Sequence, residues 1–157
     1  MLSIGYEMLT SFCLIAAFVA MVTSQTLKLI YYYFKEGRVN FDHLTEAAGM
    51  PSSHASIVSA LSTAVGILTG WNSPTFAATF ILSAIVMYDA AGVRQAAGKQ
   101  AQVLNQMLDD INATGHIQNG RLTELLGHSP VEVFAGALLG ITTTTLMYWM
   151  FFKWPVF

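Results

Sequence analysis

The stretch ASIVSALSTAVGILTGWNSPTFAATFILSAIVMY, residues 55–88, runs for 34 residues without a charged side chain. A helix needs about 20 apolar residues to cross about 30 Å of hydrocarbon, so this stretch is too long for one span. Near its middle stands Gly70-Trp71-Asn72-Ser73-Pro74, a run of turn residues. The reading is two membrane helices, over 53–70 and 75–92, folded back on one another. Two further uncharged runs, 8–27 and 133–152, have 20 residues each. Together they predict an all-α polytopic bundle of four transmembrane helices.

Composition agrees. Of the 157 residues, 54% are hydrophobic and 10% charged, with mean hydropathy +0.53. A soluble domain carries about 25% charged residues to keep its surface hydrated. The chain is therefore expected to be an integral membrane protein of one domain, neither a soluble globule nor a disordered segment. A net charge of −2 supplies no basic footprint, so no nucleic-acid partner is expected. The single cysteine, Cys13, lies in an apolar run and offers neither an internal disulfide nor a cysteine-rich metal site. The first helix has no basic residue before it and no small-x-small cleavage site after it; Lys28 and Tyr31–Tyr33 follow instead. That pattern predicts a retained helix with an interfacial aromatic anchor rather than a signal peptide.

Basic residues near helix ends set orientation. Lys28, Lys35 and Arg38 follow the first helix, and Arg94, Lys99 and Arg121 lie between the third and fourth. The loop around Asn72 has none, and Lys153 stands alone at the far end. Both charged loops are expected in the cytoplasm and both termini outside, as in a bacterial plasma-membrane protein. In the long loop over 93–129, Ala97, Ala101, Leu104, Leu108 and Ile111 recur every three to four residues. This predicts an amphipathic helix along the membrane interface, ending near Thr114 and Gly115. A second short helix is expected over 121–126.

The polar residues able to do chemistry gather at one membrane face. Lys28 ends the first helix there; Ser52, Ser53 and His54 open the second; Asp89 and Arg94 close the third, with Lys99 after them; His128 and Glu132 open the fourth. Polar groups at membrane depth are costly, so such a cluster is a candidate site. Each group also has a plainer reading. Ser52 can simply cap a helix, although a helix N-terminus also binds oxyanions, with His54 beside them as an acid. Ser129-x-x-Glu132 is a capping box with Pro130 at the first helical position. Yet His128 and Glu132 are four apart, so the carboxylate can also hold one imidazole nitrogen protonated and leave the other to attack. The basic residues can snorkel to headgroups. Asp89, inside an apolar helix, is expected to face the interior and support a cation or histidine. His43 and His116 read as solvated loop residues. No HExxH pair supports a metal site.

At these residues the chain resembles the type 2 phosphatidic acid phosphatases (PAP2), relatives of the vanadium-dependent haloperoxidases. Pro51-Ser52-Ser53-His54 resembles their PSGH motif, and His128-x-x-x-Glu132 the end of Arg-x5-His-x3-Asp. The closer resemblance is to the divergent PAP2 branch of small bacterial and plant membrane proteins. Three blocks carry it: Gly49-Met-Pro-Ser-Ser-His54; Tyr88-Asp-Ala-Ala-Gly-Val-Arg94 with Gly98-Lys-Gln-Ala101; and Leu125-Leu-Gly-His-Ser-Pro-Val-Glu-Val133. It spans nearly the whole chain, as one membrane-embedded domain over 1–157. The resemblance implies a phosphatase or pyrophosphatase acting on a lipid phosphate, or a small phosphate ester, with membrane lipids around it. His128 would be the nucleophile of a phosphohistidine, oriented by Glu132, with His54 protonating the leaving alkoxide. Ser52 and Ser53 would bind phosphate by hydroxyl and backbone N–H, and cations would neutralise charge. No cofactor or metal is needed in that scheme.

The chain departs from the superfamily pattern at defined positions. Lys-x6-Arg-Pro is absent, Lys28-x6-Lys35 being only an echo, and the motif arginine would fall at Leu122, beside Arg121. Arg94 and Lys99 are the expected substitutes, with Lys28 also expected to bind phosphate. Two other classes of function stay open: an inactive PAP2-like protein that binds lipid phosphates or a membrane partner, and a small transporter or assembly subunit. Gly66-x-x-x-Gly70 and Gly136-x-x-x-Gly140 allow close helix contact within one chain or between two, so a homodimer is among the expectations.

Overall fold

A computed structural model of the chain describes residues 2–38, 49–114 and 127–153, with backbone alone at 2–10, 94–95, 112–114 and 153. The described residues form helix α1 (Leu2–Glu36), α2 (Ser53–Thr69), α3 (Pro74–Tyr88), a π-helical turn (Asp89–Val93), α4 (Arg94–Thr114), α5 (Pro130–Tyr148) and a closing π-helical turn (Trp149–Lys153). No strand occurs among them. His43, His116, Arg121 and Leu122, and the short helix expected over 121–126, lie outside the described residues.

Local chemistry sets the helix ends. Ser52, Ser73 and Ser129 each stand in extended backbone at an N-cap and accept a backbone N–H from within the first turn, at Ala55, Phe76 and Glu132 respectively. Pro74 and Pro130 occupy the first helical positions of α3 and α5, where a missing N–H costs nothing. Gly70 ends α2 at φ 93° and returns its N–H to Gly66 O at 3.1 Å, a conformation that disfavours side chains. Asn72 lies in the turn that then reverses the chain.

Three helices are long and apolar enough to cross a membrane: Ser11–Glu36, Pro74–Ile111 and Pro130–Phe152. The fourth expected span, α2, is a shorter apolar helix of 17 residues. At about 1.5 Å per residue it measures about 25 Å. The first helix extends well beyond 8–27 at both ends, reaching Glu36 through residues 28–36, a stretch without glycine or proline to end it. The third does not stop at 92: the π-helical turn passes it directly into α4, so the amphipathic helix expected in the loop is a continuation of α3.

Helix α2 lies at the centre, against α1, α3 and α5, while α1 also meets α5. Its contact with α5 brings the two backbones together. A Cβ on Gly136 would collide with Ser52 O, and one on Gly140 with Ser59 Oγ and Ser56 O. Hydroxyls cross the same interface: Ser56 Oγ donates to Gly136 O at 3.0 Å, Ser59 Oγ to Ala137 O at 3.1 Å, and Thr144 Oγ1 to Ala60 O at 3.3 Å. Lipid tails are as apolar as leucine, so small residues, close packing and interhelical hydrogen bonds must hold such helices together. Gly136-x-x-x-Gly140 is therefore used inside the chain. Gly66 likewise makes room for the folded-back Trp71 ring.

At the end of the bundle far from the polar cluster, Phe12, Tyr148 and Phe152 form an aromatic group, with ring centroids 5.1–6.3 Å apart. Large apolar side chains such as Leu14, Phe18, Ile81, Ile85 and Phe134 point outward on the spanning helices. A water-soluble protein would hide such a surface; here it suits hydrocarbon.

Candidate active site

The N-termini of α2 and α5 meet beside the turn that joins α3 to α4. His54 stands in the first turn of α2. His128 immediately precedes the N-cap Ser129 of α5, buried to 2% exposure, with its backbone N–H given to Ala90 O at 3.1 Å. The two imidazole rings come together, with centroids 6.0 Å apart and planes inclined by 66°. Residues 74 positions apart in the sequence are thus within reach of one small group.

Glu132 fixes the second ring. His128 Nδ1 lies 3.1 Å from Glu132 Oε2, and a carboxylate only accepts, so Nδ1 carries the proton. In neutral imidazole Nε2 then keeps a lone pair. The same Oε2 accepts the N–H of Ser129 at 3.1 Å, and Glu132 N–H returns to Ser129 Oγ at 3.4 Å. Capping box and orienting carboxylate are therefore one arrangement, the two readings of this motif sharing a single oxygen.

Ser52 is wholly buried and clasps α2 to α5. Its N–H donates to Glu132 O at 3.1 Å and its Oγ accepts from Ala55 N–H. The backbone N–H expected to bind phosphate is thus committed to the protein, because the glycine contact at Gly136 brings the helix starts so close. Ser53 is half-buried, its Oγ 3.0 Å from Ser24 Oγ.

Lys28 reaches the same corner from α1. It is 3% exposed, a rare burial for an ammonium group. A Cβ on Gly49, at φ 112°, would lie 2.5 Å from Lys28 Cε and 3.1 Å from Tyr32 Oη. The positive φ favours glycine there. The stem of Lys28 therefore packs on the opening residue of the Gly49–His54 block.

The remaining cations and acid are placed less closely. Asp89 is half-buried where α3 passes into the π-helical turn. Lys99 is exposed on the second turn of α4. Arg94 opens α4, and its side chain lies outside the described residues. Among the described residues, no group of three or more His, Cys, Asp or Glu is placed to hold a metal ion.

Sequence reasoning missed three contributors. Ser24 is wholly buried on α1 and donates to Pro51 O or Ser53 Oγ; a serine one turn before Lys28 in an uncharged run was the available signal. Gln25, beside it, has a buried Oε1 without a hydrogen-bond partner among the described residues. Ala90 contributes only its carbonyl, which no side-chain pattern announces.

The family model described as the Divergent PAP2 family matches residues 9–143, a range that includes His54, His128 and Glu132. The "Uncharacterized membrane protein YuiD" of Bacillus subtilis (strain 168) is 37% identical over 156 residues, covering 92% of this chain and 99% of that protein. No solved structure matches the chain. With that match over most of its length, on top of two paired helix starts bearing the motif histidines, the chain belongs to the divergent PAP2 family.

Proposed function

We propose that the protein is a metal-independent phosphohydrolase acting on a lipid phosphate at the cytoplasmic membrane face. The observation that carries this reading is the pairing of His54 with a His128 whose Nδ1 is held by Glu132. In the proposed reaction His128 Nε2 attacks phosphorus and a P–N bond forms as the P–O bond to the alcohol breaks. His54 gives its proton to the departing alkoxide. Water then attacks the phosphohistidine, His54 takes its proton, and phosphate leaves with His128 restored. Lys28, with Arg94 and Lys99, would offset the charge gathering on the phosphoryl oxygens, a term usually large in such catalysis. Ser53 supplies a hydroxyl to the same oxygens, and Asp89 supports a cation.

In this reading α2 is the fourth crossing, and the bias of lysine and arginine toward the two charged loops places the site in the cytoplasm. The test uses purified protein with EDTA and a panel of lipid phosphates, pyrophosphates and soluble esters. His128→Ala is expected to abolish turnover and the acid-labile phosphoryl label on the protein. Turnover surviving in that variant rules out the nucleophile.

A binding protein without turnover is the second reading, favoured by the commitment of Ser52 N–H to Glu132 O, which leaves the oxyanion one backbone donor fewer. It predicts saturable binding of lipid phosphate, lost in Lys28→Ala, with no release of phosphate in the wild type.

A further inference from the structure

The polar site leaves one cavity of the bundle unused. α3 and α5 both pack on α2, and between them runs a cleft of about 430 Å³, within the range of about 300–1,000 Å³ typical of small-molecule sites. At one end lies Met87, which packs against Ala55, Ala90 and Val133. Those three adjoin His54, accept the N–H of His128 and follow Glu132, so this end of the cleft and the histidines share one small buried cluster as a neighbour. At the other end Trp71 folds back on Gly66 and meets Phe76 edge-on, with ring centroids 5.1 Å apart.

The dimensions and lining define the occupant. Met87 and Phe76 are eleven residues apart on one helix, about 16 Å at 1.5 Å per residue. The cleft is partly open along its side, with Phe80 and Ile141 on its rim about half exposed. No charged side chain lines the cleft. Three of its five hydroxyls already give their hydrogens to backbone carbonyls: Ser59 to Ala55 O and Ala137 O, Ser83 to Val58 O or Thr79 O, and Thr145 to Ile141 O. The wall thus suits an apolar chain and gives a polar occupant little to bond.

We infer that this cleft holds one hydrocarbon chain of the lipid whose phosphate lies at His54 and His128, with Trp71 as the stop that limits chain length. The inference rests on the reading of the polar site as a lipid-phosphate site. It names a specificity element, formed by α2, α3 and α5, that lies outside the motif residues.

The test pairs labelling with kinetics. Protein in phosphatidylcholine vesicles is irradiated with a long-chain alkyl phosphate carrying a mid-chain diazirine. Label is expected on buried cleft residues such as Thr63 and Ser83, competed by unlabelled alkyl phosphate. Label spread equally over outward residues such as Ile81 and Ile85, or indifferent to competitor, overturns the inference. Ala137→Phe and, as a milder block, Ile141→Trp are expected to lower kcat/KM for the long-chain phosphate about tenfold or more while changing that for p-nitrophenyl phosphate little. Trp71→Ala is expected to move the preferred chain length upward. Equal loss on both substrates, or no loss on either, overturns the cleft as the chain site. Should the wild type hydrolyse nothing, the hydrolytic reading fails while competed labelling of the cleft still supports the inference and diffuse labelling still overturns it.

Discussion

Against α5, helix α2 presents Ser52, Ser56 and Ser59 to two glycines; against α3, it meets a helix of which only Ser83 is buried. The first contact is made by backbones with hydroxyls stitched across them. The second is made by larger side chains around one polar anchor, Ser83 Oγ to Val58 O at 2.8 Å, and it leaves the cleft open beside it. Both lie in the same apolar surroundings, so the solvent does not explain the difference. What differs is residue size at the contact. Small residues lock the two helix starts that carry His54 and His128, whereas bulky ones leave α3 spaced away from α5. Rigidity is concentrated where two side chains must hold a fixed separation.

The sharpest way to break the comparison is to put side-chain volume into the tight contact. Gly136→Val would drive a branched side chain into Ser52 O. It should destabilise the bundle by about 1–3 kcal/mol or more, read as a lower melting temperature in detergent with loss of whatever the site does. An unchanged melting temperature would mean that the α2–α5 contact is not tight. Next in size, Glu132→Ala removes the ring's orienting partner and half of the capping box together. Any hydrolysis measured in the wild type should fall by about 10²–10⁴-fold. Ser129→Ala should cost about 1 kcal/mol of stability through the lost cap and leave most of the turnover. Equal damage from both substitutions would show that helix capping, not ring orientation, is what Glu132 contributes. Smallest is Ser83→Ala. A single interhelical hydrogen bond in a membrane averages about 0.6 kcal/mol, so the melt should barely shift, and a large shift would make the α2–α3 contact as demanding as its neighbour.

Much of the bundle could be read from missing charges. The break at Gly70–Pro74 and the proline after Ser129 mark helix limits because turn chemistry and capping are local properties, whereas α1 runs on past the charge at Lys28 to Glu36. The Glu132–His128 pair was legible for the same reason, since Ser129-x-x-Glu132 is a local capping box and His128 is the residue just before its cap. The meeting of His54 with His128 was expected from their shared membrane face and from the family resemblance, but its geometry depends on Gly136 and Gly140 admitting the α2 backbone, a three-dimensional fit that spacing does not encode. The diversion of Ser52 N–H to Glu132 O, which follows from that same fit, was not legible. The burial of Lys28 against Gly49 was hidden too. A glycine in a sequence announces freedom, and only the folded chain shows that the freedom is used to make space for an ammonium stem.

Glu132 Oε2 has a thermodynamic corollary. The oxygen that closes the first turn of α5 is also the one that holds His128, so whatever engages that imidazole is coupled to the folding equilibrium of the helix. A ligand at a hundred times its Kd adds about 2.7 kcal/mol to the stability of the state it binds. Here that increment would be delivered through the start of a membrane helix, making a thermal melt a direct gauge of whether the site is filled.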